Sequence, residues 1–399
     1  MTTNLNQSIR LSSIDILRAL TMFLMVFVND LWTLIDVPKW LMHAKAGEDY
    51  LGFSDIIFPL FLFIVGLSIP LAIQKRQKKG DANLKIAWHI LIRSLSLLIM
   101  GVFMVNKEYS HSESIIIGSM GWMLLMAVGL SLVWIDWKRS NASKLLGLIF
   151  QLLGIAILIF LMIIYKGGSD GDRWMRTYWW GILGLIGWAY LLNALIFLVT
   201  KGRLVAIIIS WLIFNLLSVA QKAGWMPDFG QAGIIFNPLL EGTLAGFGSA
   251  GVLATVIFQT FIKKNKVNLF YLTIMGLAII SIAYGFIVRP LWGISKLGST
   301  PSWLGICSGL GFALFALLYY MADQKGYKNL ASIIKPAGTA TLTCYLLPYF
   351  IYPLREIFGI VLPDSLRTGG IGIIKSLIFA LSVVLLTGLL ERWRIKLRL

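Results

Sequence analysis

Charged side chains are scarce in this chain, and their scarcity excludes whole classes of protein. Asp, Glu, Lys and Arg together supply 13% of the 399 residues, whereas a soluble globular protein carries about 25%. An ordinary soluble enzyme is therefore excluded. Cysteine is nearly absent too, because the only two, Cys307 and Cys344, fall inside apolar runs. The sequence thus has no disulfide framework and no CxxC pair. With three histidines and no HExxH motif, we expect no metal cofactor.

Long apolar runs are abundant instead. Hydrophobic residues make up 58% of the chain, and they recur in runs of roughly 20 residues, each long enough to cross about 30 Å of hydrocarbon. The pattern predicts an all-α fold: a polytopic membrane helical bundle of about 11–12 transmembrane helices. We expect one integral-membrane domain over residues 1–399. The twelve candidate spans are roughly residues 12–34, 54–75, 85–105, 115–136, 144–165, 178–200, 204–221, 239–262, 267–288, 301–322, 332–354 and 371–391.

The basic residues predict an orientation. A formal net charge of +17 would by itself suit a nucleic-acid-binding protein, but Lys and Arg concentrate in alternate loops, as the positive-inside rule predicts. We therefore expect both termini in the cytoplasm, the lipid bilayer as surroundings and no nucleic-acid partner. Loops 35–53 and 289–300 then face the outer side. Trp residues in or beside the outer loops, among them Trp292 and Trp303, either form an interfacial belt or stack on a sugar ring.

Residues 13–76 hold the most informative polar side chains, since ionisable residues in apolar spans mark functional sites. Asn29 and Asp30 lie at the end of the first span, and a short loop with His43 follows. His43 can act as a general base or as a nucleophile, and a loop histidine can also be a bystander. Asp55, at the start of the second span, either caps its helix or orients His43; the two roles are compatible.

A second set of ionisable residues lies near the predicted cytoplasmic ends of spans. Asp15 and Arg18 are three residues apart in the first span. His89 and Arg93 are four apart in the third, so each pair shares one helix face. On one interpretation each pair is structural: Asp15 and Arg18 form a local ion pair, and Arg93 snorkels or pairs with an acid. On the other, these residues help to bind the phosphates of an anionic donor.

The ordered pattern in residues 13–76 is similar to that of a known family. The first span reads S-x-D-x-x-R and then M-x-x-V-N, the loop contains HA, and the second span reads D-x-x-F-P-x-F-x-F-x-x-G-x-S-I. This order resembles the transmembrane acetyltransferase family of heparan-α-glucosaminide N-acetyltransferase, in a divergent bacterial branch. The matching residues are Ser13, Asp15, Arg18, Met25, Val28, Asn29, His43, Ala44, Asp55, Phe58, Pro59, Phe61, Phe63, Gly66, Ser68 and Ile69.

Weaker similarity to the family continues towards the C-terminus. NPLLEGTLAG contains Glu241, WGISKLGSTPSW contains Lys296, and DQKGYKNLASIIKPAGTATLTCYLL contains Tyr345. Each of these three residues also has an ordinary structural explanation. The sequence departs from the family pattern after His43, where HAKAGEDYLGF stands in place of HAxWNG.

The resemblance implies an activity and roles for these residues. The family takes acetyl from cytoplasmic acetyl-CoA and delivers it to a terminal glucosamine across the membrane. It implies acetyl-CoA as the donor, an amino sugar or related glycan as the acceptor, and His43 and Asn29 as catalytic residues. From the residues themselves we predict Asp55 as a third catalytic residue that orients His43. We further predict donor-binding residues, Asp15, Arg18, His89 and Arg93, and acceptor-binding residues, Asp30, Glu241, Lys296 and Tyr345. The expected location is the bacterial inner membrane.

Two other functions stay open on the sequence: a secondary transporter or flippase for a small polar or glycan-linked solute, and a polysaccharide O-acetyltransferase. The lack of an internal repeat and the concentration of ionisable residues in the first two spans speak against a transporter. The choice between direct transfer and an acetyl-histidine intermediate is open, as is homo-oligomerisation.

Overall fold

A computed structural model describes residues 11–140 and 142–399, and these residues are predominantly helical, without a β-strand. The helices in the described part are α1 (Ser12–Asp30), α2 (Ser54–Lys78), α3 (Asn83–Glu108), α4 (Gly118–Trp134), α5 (Lys144–Ile164), α6 (Gly181–Thr200), α7 (Leu204–Lys222), α8 (Gly233–Leu240), α9 (Thr243–Ile262), α10 (Val267–Trp292), α11 (Pro301–Leu318), α12 (Lys335–Thr339), α13 (Thr341–Leu346), α14 (Pro348–Ile357) and α15 (Gly369–Arg392). A π-helical turn, Tyr319–Gln324, extends α11. The predicted all-α membrane bundle is thus confirmed.

Nine stretches of the described chain are helical, long enough and apolar enough to cross a membrane. They are Ser54–Lys78, Asn83–Glu108, Lys144–Ile164, Gly181–Thr200, Leu204–Lys222, Gly230–Ile262, Val267–Trp292, Pro301–Gln324 and Gly369–Arg392. The first predicted span, α1, is helical but not among the nine, and the fourth, α4, is a shorter apolar helix of 17 residues.

The eleventh predicted span, 332–354, is divided into the short helices α12, α13 and α14. The first break falls at Ala340, whose backbone (φ −125°, ψ 50°) leaves the helical region. Pro348 stands at the start of α14, where its missing N–H costs no helical hydrogen bond. Broken helices at membrane depth occur where protein or a cavity surrounds the irregular backbone.

The chain forms two compact units that interleave in sequence. The first comprises the described part of 1–21 together with 39–94 and 186–332, and the second comprises 22–38, 95–185 and 333–399. Neither unit is one continuous stretch, so the sequence gives no simple boundary between them. The expectation of a single domain stays a prediction.

In the first unit, α2 packs closely against α9 because both present glycines at the contact. A Cβ on Gly66 would lie 1.9 Å from the carbonyl oxygen of Gly248, and one on Gly251 would lie 1.9 Å from that of Phe63. Small residues allow helix backbones in membranes to approach in this way. The pair forms a rigid support for the start of α2, where Asp55 lies.

In the second unit, Asn106 on α3 holds a neighbouring loop through its amide. Its Nδ2 donates to the carbonyl oxygen of Arg176 at 2.7 Å, and its Oδ1 accepts the N–H of the same residue at 3.0 Å. The hydroxyl of buried Tyr165 donates to the carbonyl oxygen of Asn106 at 2.8 Å. These bonds satisfy buried polar groups, as an apolar interior requires.

Candidate active site

The loop that carries His43 is held by backbone hydrogen bonds at both ends. The Phe53 N–H donates to the carbonyl oxygen of Trp40 at 2.7 Å, and Tyr50 N–H donates to that of Ile294 at 3.1 Å. The first bond closes the loop on itself, and the second ties it to the segment that follows α10. His43 is therefore presented by an ordered loop although it lies outside a helix.

Gly52 is the point at which this loop folds back on itself. A Cβ at this position would lie 1.8 Å from the carbonyl oxygen of Met42, a distance that no side chain tolerates. Glycine therefore permits the close approach. The same fold brings the Gly52 N–H within 3.1 Å of the Asp55 carboxylate.

His43 and Asp55 form a hydrogen-bonded pair. Nδ1 of His43 lies 2.6 Å from Oδ1 of Asp55, while Oδ2 accepts the N–H groups of Ala44 and Gly52 at 2.9 and 3.1 Å. Asp55 is buried at 0% exposure, whereas the His43 side chain is 44% exposed. In the tautomer whose Nδ1–H donates to this carboxylate, Nε2 presents a lone pair. The carboxylate bonds to the loop and not to the end of its own helix.

Two further side chains complete this cluster. The indole Nε1 of Trp303 donates to the backbone carbonyl oxygen of Asp55 at 2.9 Å. Nζ of Lys296 lies 3.3 Å from Nδ1 and 3.4 Å from Nε2 of His43. Burial lowers the pKa of Lys296 to about 8, although the Asp55 carboxylate raises it. A lysine that titrates near neutral pH thus lies against the histidine.

An ion pair fixes the same loop a second time. Asp49 accepts Nε of Arg289 at 2.9 Å and the N–H of Ile294 at 2.7 Å. The Ile294 hydrogen bond, together with Arg289, holds the pKa of Asp49 below its usual range. Gly293, between the two partners, turns the chain with φ +66°. The loop after α10 and the His43 loop therefore form one connected surface in the first unit.

The predicted donor-binding residues of the first unit lie along α1 and α3. Arg18 donates to Asp15 at 3.2 Å and to the hydroxyl of Ser68 on α2 at 2.9 Å. Arg93 places its guanidinium over the Tyr190 ring, 4.8 Å from the centroid. The local ion pair expected for Asp15 and Arg18 is present. His89 lies one turn before Arg93 on α3, and the donor roles of these residues stay predictions.

The predicted acceptor-binding residues are spread over both units. Glu241 follows α8 in the first unit, half-buried, where its carboxylate is hydrogen-bonded to the Ser299 side chain and lies near Lys222. Tyr345 belongs to α13 in the second unit, with its ring 6.2 Å from that of Tyr349. Their contact with an acceptor stays a prediction.

Asn29 and Asp30 end α1 in the second unit, and their environments differ. Asn29 is exposed, whereas Asp30 is 1% exposed. The Asp30 carboxylate accepts Lys375 Nζ at 2.7 Å, Ser376 Oγ at 2.6 Å and the Tyr352 hydroxyl at 2.8 Å. These donors from α14 and α15 fix the end of α1. The catalytic role of Asn29 and the acceptor role of Asp30 stay predictions.

Sequence reasoning missed how Trp303 and Lys296 take part in the cluster. Trp303 is 1% exposed and supports Asp55, so it is neither an interfacial anchor nor a sugar platform. Lys296 was predicted to bind the acceptor, and the structure places it in direct contact with His43; its acceptor role stays a prediction. These contacts join residues more than 240 positions apart. The available signal was a lysine in a predicted outer loop next to an apolar span.

Comparisons with known proteins locate a similarity in the same part of the chain. Residues 10–117 match the family model described as heparan-alpha-glucosaminide N-acetyltransferase, catalytic. The heparan-alpha-glucosaminide N-acetyltransferases of Mus musculus and Homo sapiens are 35% and 33% identical to this chain over 100 residues. Each alignment covers 25% of this chain and 14% of the relative, so the chain matches about one seventh of the curated relatives' length. The region around His43 and Asp55 is thus similar to the catalytic part of this transmembrane acetyltransferase family, which confirms the resemblance found in residues 13–76.

Proposed function

We propose that the protein is a membrane-embedded acyltransferase that moves an acetyl group from cytoplasmic acetyl-CoA to an amino sugar or related glycan on the outer side. The observation that supports this most is the His43–Asp55 pair, at 2.6 Å, inside the region that matches the family model. A histidine held at one ring nitrogen by a buried carboxylate, with a lone pair at the other nitrogen, is the arrangement that base catalysis requires.

The chemistry needs a base because a neutral amine attacks the thioester. The amine nitrogen forms a bond to the acetyl carbon, the carbon–sulfur bond breaks, and the departing thiolate of CoA takes up a proton. Nε2 of His43 accepts the proton that the amine loses. Asp55 is a positioning residue: it holds Nδ1–H and stabilises the positive charge that His43 gains.

Lys296 supplies positive charge beside the base. Its Nζ lies 3.4 Å from Nε2 of His43, close to where the carbonyl oxygen of the attacked acetyl group would gain negative charge. Donors aimed at that charge commonly contribute more to the rate than any other single group. Asn29 would hydrogen-bond the thioester oxygen as that charge develops, and Arg18 and Arg93 would attract the phosphates of the donor.

The test is acetyl transfer from labelled acetyl-CoA to a panel of amino sugars by the purified, reconstituted protein. His43→Ala is expected to abolish transfer while its thermal unfolding matches the parent. His111→Ala serves as the matched control, because His111 lies in a loop of the second unit, where its Nδ1 lies 2.8 Å from the Ser114 hydroxyl oxygen. Normal turnover by His43→Ala would overturn the proposal.

The two routes of transfer are separated by a single-turnover experiment. If His43 carries the acetyl group, the protein incubated with labelled donor and no acceptor retains label that His43→Ala does not. If His43 acts as a base alone, no label is retained and transfer still requires the residue.

A further inference from the structure

The side-chain amine of Lys296 lies over the imidazole ring of His43. Nζ is 3.3 Å from Nδ1 and 3.4 Å from Nε2. An approach in the ring plane at nearly equal distances from both nitrogens would collide with the carbon between them, so the amine lies above the ring. An acetyl group carried by Nε2, or presented to it, would therefore come within the roughly 3–3.5 Å at which bound groups react with each other.

The segment that carries Lys296 is a closed turn between α10 and α11. The N–H of Ser295 donates to Oγ1 of Thr300 at 3.0 Å, and the N–H of Thr300 donates to the carbonyl oxygen of Ser295 at 3.1 Å. The N–H of Ser299 donates to the carbonyl oxygen of Lys296 at 3.0 Å. The backbone of Lys296 is thus fixed, and only its side chain can move away from the ring.

Lys296 has an unusually large neutral fraction for a lysine. Burial lowers its pKa to about 8 from an ordinary 10.5, although the Asp55 carboxylate raises it. At pH 7 about one amine in ten is then neutral, against roughly one in 3,000 at the ordinary pKa. The titratable groups that face Lys296 are His43 in its loop, Asp55 on α2 and Cys307 on α11. A neutral amine is the form that attacks an acetyl thioester, so the site contains a nucleophile of its own.

We propose that Lys296 is a self-acetylation site, at which the protein takes up its own acetyl group when donor is present and acceptor is absent. This inference rests on the proposed acyltransferase function and adds a modification site that regulates it. The modified side chain is a neutral amide, so the positive charge beside His43 is lost. Self-acetylation therefore switches off a protein that has donor but no acceptor.

The step is balanced by groups of the site and by acetyl-CoA. The lone pair of neutral Nζ forms a bond to the acetyl carbon, and the carbon–sulfur bond breaks. Nε2 of His43 accepts the proton that Nζ loses and passes it to the departing thiolate of CoA. If His43 already carries the acetyl group, the bond between Nε2 and the acetyl carbon breaks instead. Nε2 then takes back the electron pair and accepts the proton from Nζ.

Labelled acetyl-CoA, given to the purified, nanodisc-reconstituted protein without acceptor, tests the site. Peptide mass spectrometry after hydroxylamine treatment counts the acetyl groups on each lysine, because hydroxylamine removes an acetyl-imidazole and leaves an amide. We expect up to one acetyl group per chain on Lys296, with an initial rate about tenfold higher at pH 9 than at pH 7. A lysine at the ordinary pKa would accelerate about 100-fold over the same interval. Transfer activity should fall in proportion to the acetylated fraction.

Three variants separate this reaction from non-specific acetylation. His43→Ala should slow the labelling of Lys296 at least tenfold, because the reaction loses its base. Lys296→Arg should remove the hydroxylamine-resistant label. Lys45→Arg is the matched control and should leave the label in place, because Lys45 is an exposed lysine two positions from His43 in the same loop.

The outcomes that overturn the proposal differ from those that overturn the acyltransferase function. Equal labelling of Lys45 and Lys296, labelling that His43→Ala does not slow, or full activity of the acetylated protein would overturn self-acetylation. An unmodified Lys296 in a protein that acetylates amino sugars would overturn it too and leave the acyltransferase function intact. Labelling of Lys296 that requires His43, without transfer to any amino sugar, would uphold the modification site and overturn the amino-sugar acceptor. If neither is acetylated, both proposals fail.

Discussion

Replacing Asp55 by Asn changes one atom of the site and tests how His43 is held. In the parent, one carboxylate oxygen accepts Nδ1–H of His43 and the other accepts the N–H groups of Ala44 and Gly52. Asparagine keeps one oxygen and replaces the other by an NH₂ group, so it can serve only one side. The variant therefore has two arrangements with different consequences.

The first arrangement turns the NH₂ group towards the backbone. It would leave the buried N–H groups of Ala44 and Gly52 facing a donor. Each unsatisfied N–H group would lower the stability of the folded protein by about 1–3 kcal/mol. The second arrangement turns NH₂ towards His43 and needs only a change of tautomer. The proton then moves from Nδ1 to Nε2, and Nε2 no longer accepts a proton from the acceptor amine. The second arrangement is favoured because it spares the buried backbone groups.

The expected result is a loss of kcat of about 10²- to 10⁴-fold, the usual contribution of a general base. The assay is transfer from labelled acetyl-CoA at saturating acceptor, with thermal unfolding measured on the same preparation. Nitrogen-15 NMR of the labelled His43 ring reports the tautomer, which a purely structural role of Asp55 would not change. Glu113→Gln is the control. A kcat within threefold of the parent, or an unchanged tautomer, would refute the reasoning.

Four further predictions concern the loop, the lysine, the topology and the second unit. Gly52→Ala forces a Cβ against the Met42 carbonyl oxygen, so it should lower stability by about 1–3 kcal/mol and also lower activity. Gly276→Ala, with nothing within 4 Å of its Cβ, should change neither stability nor activity. Lys296 is charged below its pKa of about 8 and neutral above it, so the kcat of the parent should fall as pH rises through about 8. Lys296→Arg keeps the charge and should remove this fall. A pH profile of kcat that is the same in Lys296→Arg and the parent would count against a role for the charge of Lys296. Lys45→Cys in a background without Cys307 and Cys344 should react with an impermeant thiol reagent from the outer side, and reaction from the cytoplasmic side alone would reverse the proposed orientation. Asp30→Asn leaves the Lys375 charge uncompensated and should lower stability by about 3–5 kcal/mol, an effect that Lys375→Met in the same chain should reverse if the ion pair is its cause.

The helical class and most span positions could be predicted from the sequence because apolar length alone determines them. The eleventh predicted span shows the limit of this rule. A run that reads as one apolar segment is divided at Ala340 and again before Pro348. Hydropathy records the composition of such a run, whereas the break depends on backbone geometry and on the surrounding helices.

The candidate site was predictable in part. His43 and Asp55 lie 12 positions apart and were paired from the sequence as one of two compatible roles for Asp55. The Asp49–Arg289 ion pair was not predicted, since each residue reads as an ordinary charged residue in an outer loop. Trp303 was misread because a Trp next to a loop resembles an interfacial anchor, although it is buried against Asp55.

By itself, the sequence determined that this protein is a helical membrane protein with a histidine in the loop before its second apolar span. Composition, run length and local order carry that information, and each is a property of neighbouring residues. Tertiary structure alone decided that Lys296 and Trp303 join His43 and Asp55, and that Asp49 ties the loop after His43 to Arg289 and Ile294. These groups meet because the close packing of α2 and α9 and the turn at Gly52 bring distant segments together, and such contacts leave no periodic signal in the chain.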